Sequence, residues 1–147
     1  MLDSAVALDP GYWEAYMDRS QIRLLLGERE SARKDVETAL LLNPGDRETE
    51  AALAQVEART GDTRDARTRL ERLLRERPTP DLEEGQYVIV ALDALGQHDR
   101  ALGVLERLRP RGVQLWSDLL YPEFDPLRSN PRFQRVLDES RPPGAPR

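Results

Sequence analysis

The single histidine, His98, is the first residue to weigh for chemistry, because an imidazole titrating near neutral pH serves as a general acid or base once a carboxylate orients it in a cleft. It stands two residues after Gly96, between two stretches of helical period, so the expectation is an exposed turn residue with no catalytic or metal role. Glu83 and Glu84 are adjacent, and neighbours on a helix face different ways, so they suit a helix N-terminus better than a paired-carboxylate site. Ser117 and Asp118 have no histidine near them in the chain to complete a nucleophilic triad. Gly27, Gly61 and Gly96 are spaced as helix breakers, whereas a phosphate loop needs a preceding strand and clustered glycines or a following lysine. With no cysteine there is no thiolate nucleophile, no disulfide and no Cys-ligated zinc. The chain is therefore expected to be no enzyme, and no metal or cofactor is expected.

Charge narrows the partners. The 147 residues carry 22 Lys plus Arg against 27 Asp plus Glu, a net charge of −5, which disfavours a general grip on nucleic acid or anionic lipid. Lys34 is the only lysine, and the densest basic run is Arg64, Arg67, Arg69, Arg72, Arg75 and Arg77, interrupted by Asp65, Glu71 and Glu76. Opposite charges three and four apart read as a solvated helix face, and no aromatics are interleaved as a nucleic-acid surface would require. No apolar run approaches the roughly 20 residues of a membrane span, and no signal peptide is evident, so a cytoplasmic location is the default expectation.

The elements that must position any site come from an internal repeat. Pro10, Pro44 and Pro78 recur every 34 residues, as do Gly27 with Gly61 and Ala32 with Ala66, while Gly96 and Ala101 fall one residue later. Each period divides at its glycine into two amphipathic helical stretches. In the first, Tyr16, Ser20 and Leu24 and then Ala32, Val36, Ala39 and Leu40 follow the three-and-four spacing of a buried stripe. Glycine accepts the left-handed conformation that ends a helix, proline cannot continue one, and Asp46, Asp62 and Asp81 are candidate caps or first-turn acids for the helices that follow. No alternating strand pattern is present. Residues 1–10 read as the tail of a partial repeat, 11–44, 45–78 and 79–110 as three repeats, 111–140 as capping helices and 141–147 as a disordered tail.

This spacing resembles the tetratricopeptide repeat, a helix–turn–helix unit. The first copy matches with Tyr16, Ala32, Val36, Ala39 and Pro44, the second with Leu53, Ala54, Ala66, Leu70, Leu73 and Pro78, and the third with Val88, Ile89, Ala101, Leu105 and Leu108. Arg19 and Arg23 depart from the pattern where it prefers Leu and Tyr, and Glu50, Glu57 and Gly85 replace aromatics. The resemblance implies an all-α, right-handed helix-turn-helix superhelical solenoid, closed here by C-terminal capping helices. The final segment, with Phe124-Asp125-Pro126-Leu127-Arg128 and Pro131-Arg132-Phe133, resembles the endings of bacterial tetratricopeptide arrays attached to kinases, cyclases and winged-helix regulators. Asn130 before Pro131 is a helix start, a cap residue followed by a first-turn proline.

In such repeats the first helices line a concave groove, so the resemblance implies a protein-interaction scaffold for a protein or peptide partner of unknown identity. The register gives Glu14, Met17, Gln21 and Leu24 in the first copy, Ala51, Gln55, Ala58 and Arg59 in the second, and Glu83, Gln86, Val90 and Asp93 in the third. Met17, Gln21, Ala51 and Gln55 fall where some members carry Lys and Asn to clamp a terminal carboxylate, so that mode is not expected. The alternative expectation is a self-associating spacer of a larger regulatory protein, whose N-terminal half-repeat, with Leu2 and Val6, packs on a second copy.

Overall fold

A computed structural model describes residues 2–146, and the side chains of Leu2 and Arg111 lie outside what is described. The described residues form helices and turns with no strand. Helix α1 (Leu2–Leu8) is followed by the pairs α2 (Trp13–Leu25) with α3 (Arg29–Leu42), α4 (Arg47–Thr60) with α5 (Thr63–Glu76), and α6 (Leu82–Ala94) with α7 (His98–Leu108). A 3-10 turn then leads into α8 (Gly112–Asp118), a second 3-10 segment Pro122–Leu127, and α9 (Pro131–Ser140). This is the all-α solenoid of helix pairs expected from the 34-residue period. From α1 to α7 each helix packs on its neighbours in chain order, α4 also lies along α6, and α9 packs on both α7 and α8.

Small residues set the spacing between helices. Ala32, Ala66 and Ala101 are fully buried, and at those places a larger side chain would force neighbouring helices apart. Two apolar clusters result. One gathers Met17, Leu24, Ala32, Val36, Ala39, Leu53 and Val56 around the first pair, and the other runs from Leu70 and Leu73 through α6 and α7 to Phe124 and Phe133. Tyr87 packs against both, so the stack is continuous.

Local signals act largely as expected, with one correction. Gly61 ends α4 at φ 97°, a left-handed conformation that a Cβ would strain. Asp46 caps α4 by accepting from the Thr49 amide at 2.8 Å, and Asn130 caps α9 by accepting from Arg132 at 2.9 Å. Asp62 and Asp81 make no cap bond: Asp62 is drawn to Arg33 on α3, and Asp81 to Arg77 at 2.7 Å. After α9 the chain turns once more, with the Ala145 amide donating to Pro142 O at 3.1 Å.

The five departures from the repeat pattern have physical reasons. Arg19 and Arg23 both bind the buried Asp35 carboxylate, at 2.6 and 2.8 Å. Glu57 is bound by Arg69 at 3.2 Å, and Glu50 pairs with Arg72. The arginine run on α5 thus reaches across to α4 as well as along its own helix. Gly85 lies where an added Cβ would stand 2.6 Å from Leu108 Cδ1, so an aromatic there would not fit the present α6–α7 approach.

Candidate functional site

The first helices α2, α4 and α6 present equivalent stripes when the repeats are superposed in sequence. Glu14, Glu48 and Glu83 occupy one place, Asp18, Ala52 and Tyr87 the next, then Gln21, Gln55 and Val90, then Leu25, Arg59 and Ala94. Steps of four and three residues keep these on one face of each helix.

The expected groove residues divide by burial. Glu14 and Glu83 are exposed, while Gln21, Arg59, Gln86 and Asp93 are half-buried. Met17, Leu24, Ala51, Gln55, Ala58 and Val90 are buried and have little surface to offer a partner. The physical reason is clearest for α4: enclosed by α3, α5 and α6, it is buried at every position from Ala51 to Ala58. Met17 and Leu24 belong to the first apolar cluster, and Ala51 and Val90 to the second. The C-terminal segment also closes on this face, since the Gln86 amide donates to Asp118 on α8 at 2.9 Å. Of the two self-association candidates, Val6 is half-buried and the Leu2 side chain lies outside the description.

Four acids outside the expected set lie near these residues: Asp18, Glu48, Asp118 and Glu123. Burial raises the pKa of the Glu48 carboxyl to about 6, with repulsion from Asp46, Glu83, Glu14 and Asp18 adding to it. Burial likewise raises Asp18, with Glu14 adding to it, and Asp118, with Glu83 adding and the Gln86 bond opposing. Glu123 is raised by burial against the pull of Arg59, whose own pKa is lowered by burial. The Tyr87 hydroxyl, raised by burial, feels Glu48, Glu123 and Asp18 together. These mutual effects bring acids from α2, α4, α6, α8 and the second 3-10 segment within electrostatic reach of one another. Among the described residues none of Glu14, Asp18, Glu48, Glu83, Asp118 and Glu123 is ion-paired.

Glu84, next to Glu83, has a different task. It is buried and bound by Arg47 at 2.8 Å, and the same Arg47 also donates to Leu73 O at 2.7 Å, joining α4, α5 and α6. His98 pairs through Nδ1 with Asp93, and among the described residues no hydroxyl is hydrogen-bonded to its ring. No group of three His, Cys, Asp or Glu among the described residues is disposed to hold a metal ion. None of the described helices is long and apolar enough to cross a membrane.

The raised Glu48 predicts a pH effect. A carboxyl whose folded pKa exceeds its unfolded value favours folding when protonated and opposes it as pH rises through the folded value. Glu48→Gln is expected to stabilise the chain at pH 7.5 by about 1 kcal/mol, allowing for solvent screening of a half-buried group. That gain should shrink as pH falls through about 6 and vanish near the ordinary carboxylate range. Urea denaturation of both proteins at several pH values checks this, and a gain independent of pH would refute it.

No protein-family model matches the chain, and no curated protein does. Among solved structures the chain is similar to one titled "Crystal structure of MamA", at 13% identity and a TM-score of 0.49, with 95% of this chain and 82% of that chain covered. That likeness concerns the fold alone.

Proposed function

We propose that the chain is a protein-interaction scaffold that docks a protein or peptide segment along the inner face of α2, α4 and α6, without a reaction of its own. The observation that supports this most directly is how its charges are used. Asp35, Glu57 and Glu84 are consumed in ion pairs that hold helices together. The carboxylates of the inner face, Glu14, Asp18 and Glu83 exposed and Glu48, Asp118 and Glu123 half-buried, are instead gathered against their own repulsion with no ion pair among the described residues. An unfavourable charge collected from five elements is stabilised by a ligand that meets it, and affinity would concentrate in a few anchored contacts.

The test is selection of binders from a displayed random peptide library, followed by comparison of two variants with the parent. Asp18→Trp with Glu83→Trp fills the trough at two positions close to or at the surface, and Arg75→Trp alters the outer α5 face. Binders are expected to lose at least about tenfold in affinity on the double variant and to be unaffected by Arg75→Trp, with helical circular dichroism unchanged throughout. Selected binders that tolerate the filled trough would overturn the reading.

A further inference from the structure

Resting on that docking reading, we propose that the trough takes an extended, Lys/Arg-bearing segment of a protein partner, with its cations set against Glu14, Glu48 and Glu83. These three acids occupy the same place in successive repeats, so the solenoid presents one carboxylate per step along its length. Packed helices stand about 8–10 Å apart, so the step from α4 to α6 is the reach of about three extended residues, and α2, which touches α4 only lightly, lies at least one such step further. Cations three residues apart in an extended polyproline-II segment, which has three residues per turn, lie on one face and would meet successive helices.

Three further features select this occupant. First, a shallow depression of about 330 Å³ lies between the N-terminal ends of α4 and α6, lined by Asp46, Glu48, Asp81, Glu83 and Glu84 with Arg47 and Arg77. Both arginines are engaged there, Arg47 with Glu84 and Glu76, and Arg77 with Asp81, which leaves Glu48 and Glu83 to face the opening. Second, Gln55, on the same stripe of α4 as Glu48, is 1% exposed, and its side-chain oxygen has no hydrogen-bond partner among the described residues. An unmade bond at a buried acceptor is costly, and a partner's guanidinium, ammonium or backbone N–H would supply it once the side chains that cover Gln55 move aside. Third, the acids are spread along the face and do not converge on one point, which suits a string of cations better than a single metal ion. A nucleic acid would be repelled by the same charge.

The experiment is fluorescence anisotropy of the whole chain with a labelled Arg-Gly-Ser-Arg-Gly-Ser-Arg peptide at about 50 mM salt, where screening is weak. Saturable binding is expected, weakening about tenfold in Glu48→Gln with Glu83→Gln and again on raising the salt. The double variant removes repulsion, so it is expected to remain folded, and circular dichroism verifies that. Glu48→Lys with Glu83→Lys should reverse the preference, binding the peptide whose arginines are replaced by glutamates. Absence of saturable binding to about 1 mM, indifference to the Gln variants, or equal competition by spermine or calcium would overturn the proposal. If library selection yields trough binders with no basic bias, this proposal falls and the docking reading stands. If the selected binders ignore Asp18→Trp with Glu83→Trp, the docking reading itself falls.

Discussion

Asp35→Arg is expected to destabilise the chain by about 3–5 kcal/mol, because breaking a buried ion pair strands the remaining charge. Asp35 is only 3% exposed and accepts from two guanidiniums, Arg19 at 2.6 Å and Arg23 at 2.8 Å. The repeat supplies its own compensating set. Thirty-four residues on, the places of Arg19, Arg23 and Asp35 are held by Leu53, Glu57 and Arg69, with the charge order reversed and Glu57 bound by Arg69 at 3.2 Å. Allowing for the one-residue slip, the third copy uses Val88, Leu92 and Val104, all buried and apolar. One contact between paired helices is thus made in three chemically different ways. Arg19→Leu with Arg23→Glu and Asp35→Arg transplants the second solution into the first repeat and should recover most of the loss. Arg19→Val with Arg23→Leu and Asp35→Val transplants the third and is expected to match or exceed the parent, as replacing buried ion pairs by packed apolar groups often does. Urea denaturation of the single and triple variants checks all of this. A charge-swapped triple no more stable than Asp35→Arg alone would show that the three contacts are not equivalent.

This contact also marks how far the sequence could be read. Pro44 and Pro78, Gly27 and Gly61, and Ala32, Ala66 and Ala101 each act through one residue's own conformation or size, so their spacing announces the solenoid without knowledge of any neighbour. Asp35 and Glu57 are different, because a buried acid makes sense only once the arginine twelve residues away is known to face it. The register that superposes Arg23 with Glu57 and Asp35 with Arg69 does carry that signal, as a reversal of charge at two places together. The proposed groove is legible in the sequence only as a register. Its register is that of the first helices, but whether a stripe is open depends on what packs beside it, and α4 is enclosed where α2 is partly open. The acid recurring at Glu14, Glu48 and Glu83 was available from the period. The contribution of Asp118 and Glu123 was not, since it depends on the non-repeating C-terminal segment folding back to α4 and α6.

That segment is the subject of the second large effect. A solenoid end exposes the apolar face that the next repeat would have covered, and here α9 packs on α7 while the 3-10 segment Pro122–Leu127 packs on α6. Phe124 and Phe133 are fully buried with ring centroids 6.2 Å apart, and they share one cluster with Leu102, Leu105, Leu115 and Leu119. Arg128 locks the turn: its guanidinium lies 5.7 Å over the Phe133 ring and donates to Leu119 O and Tyr121 O, each at 3.1 Å. Phe133→Ala removes the ring on which these contacts converge and is expected to cost about 3–5 kcal/mol. The loss should be local before it is global, because each unit of a solenoid leans only on its neighbours. Amide hydrogen exchange is expected to show protection falling first in α7 to α9, with α2 to α5 retaining theirs until higher denaturant. Arg128→Met, which keeps length but gives up the carbonyl bonds, should reproduce that order with a smaller loss, about 1–2 kcal/mol. Uniform loss of protection in Phe133→Ala would mean that the C-terminal helices are part of one indivisible core and do not act as a cap.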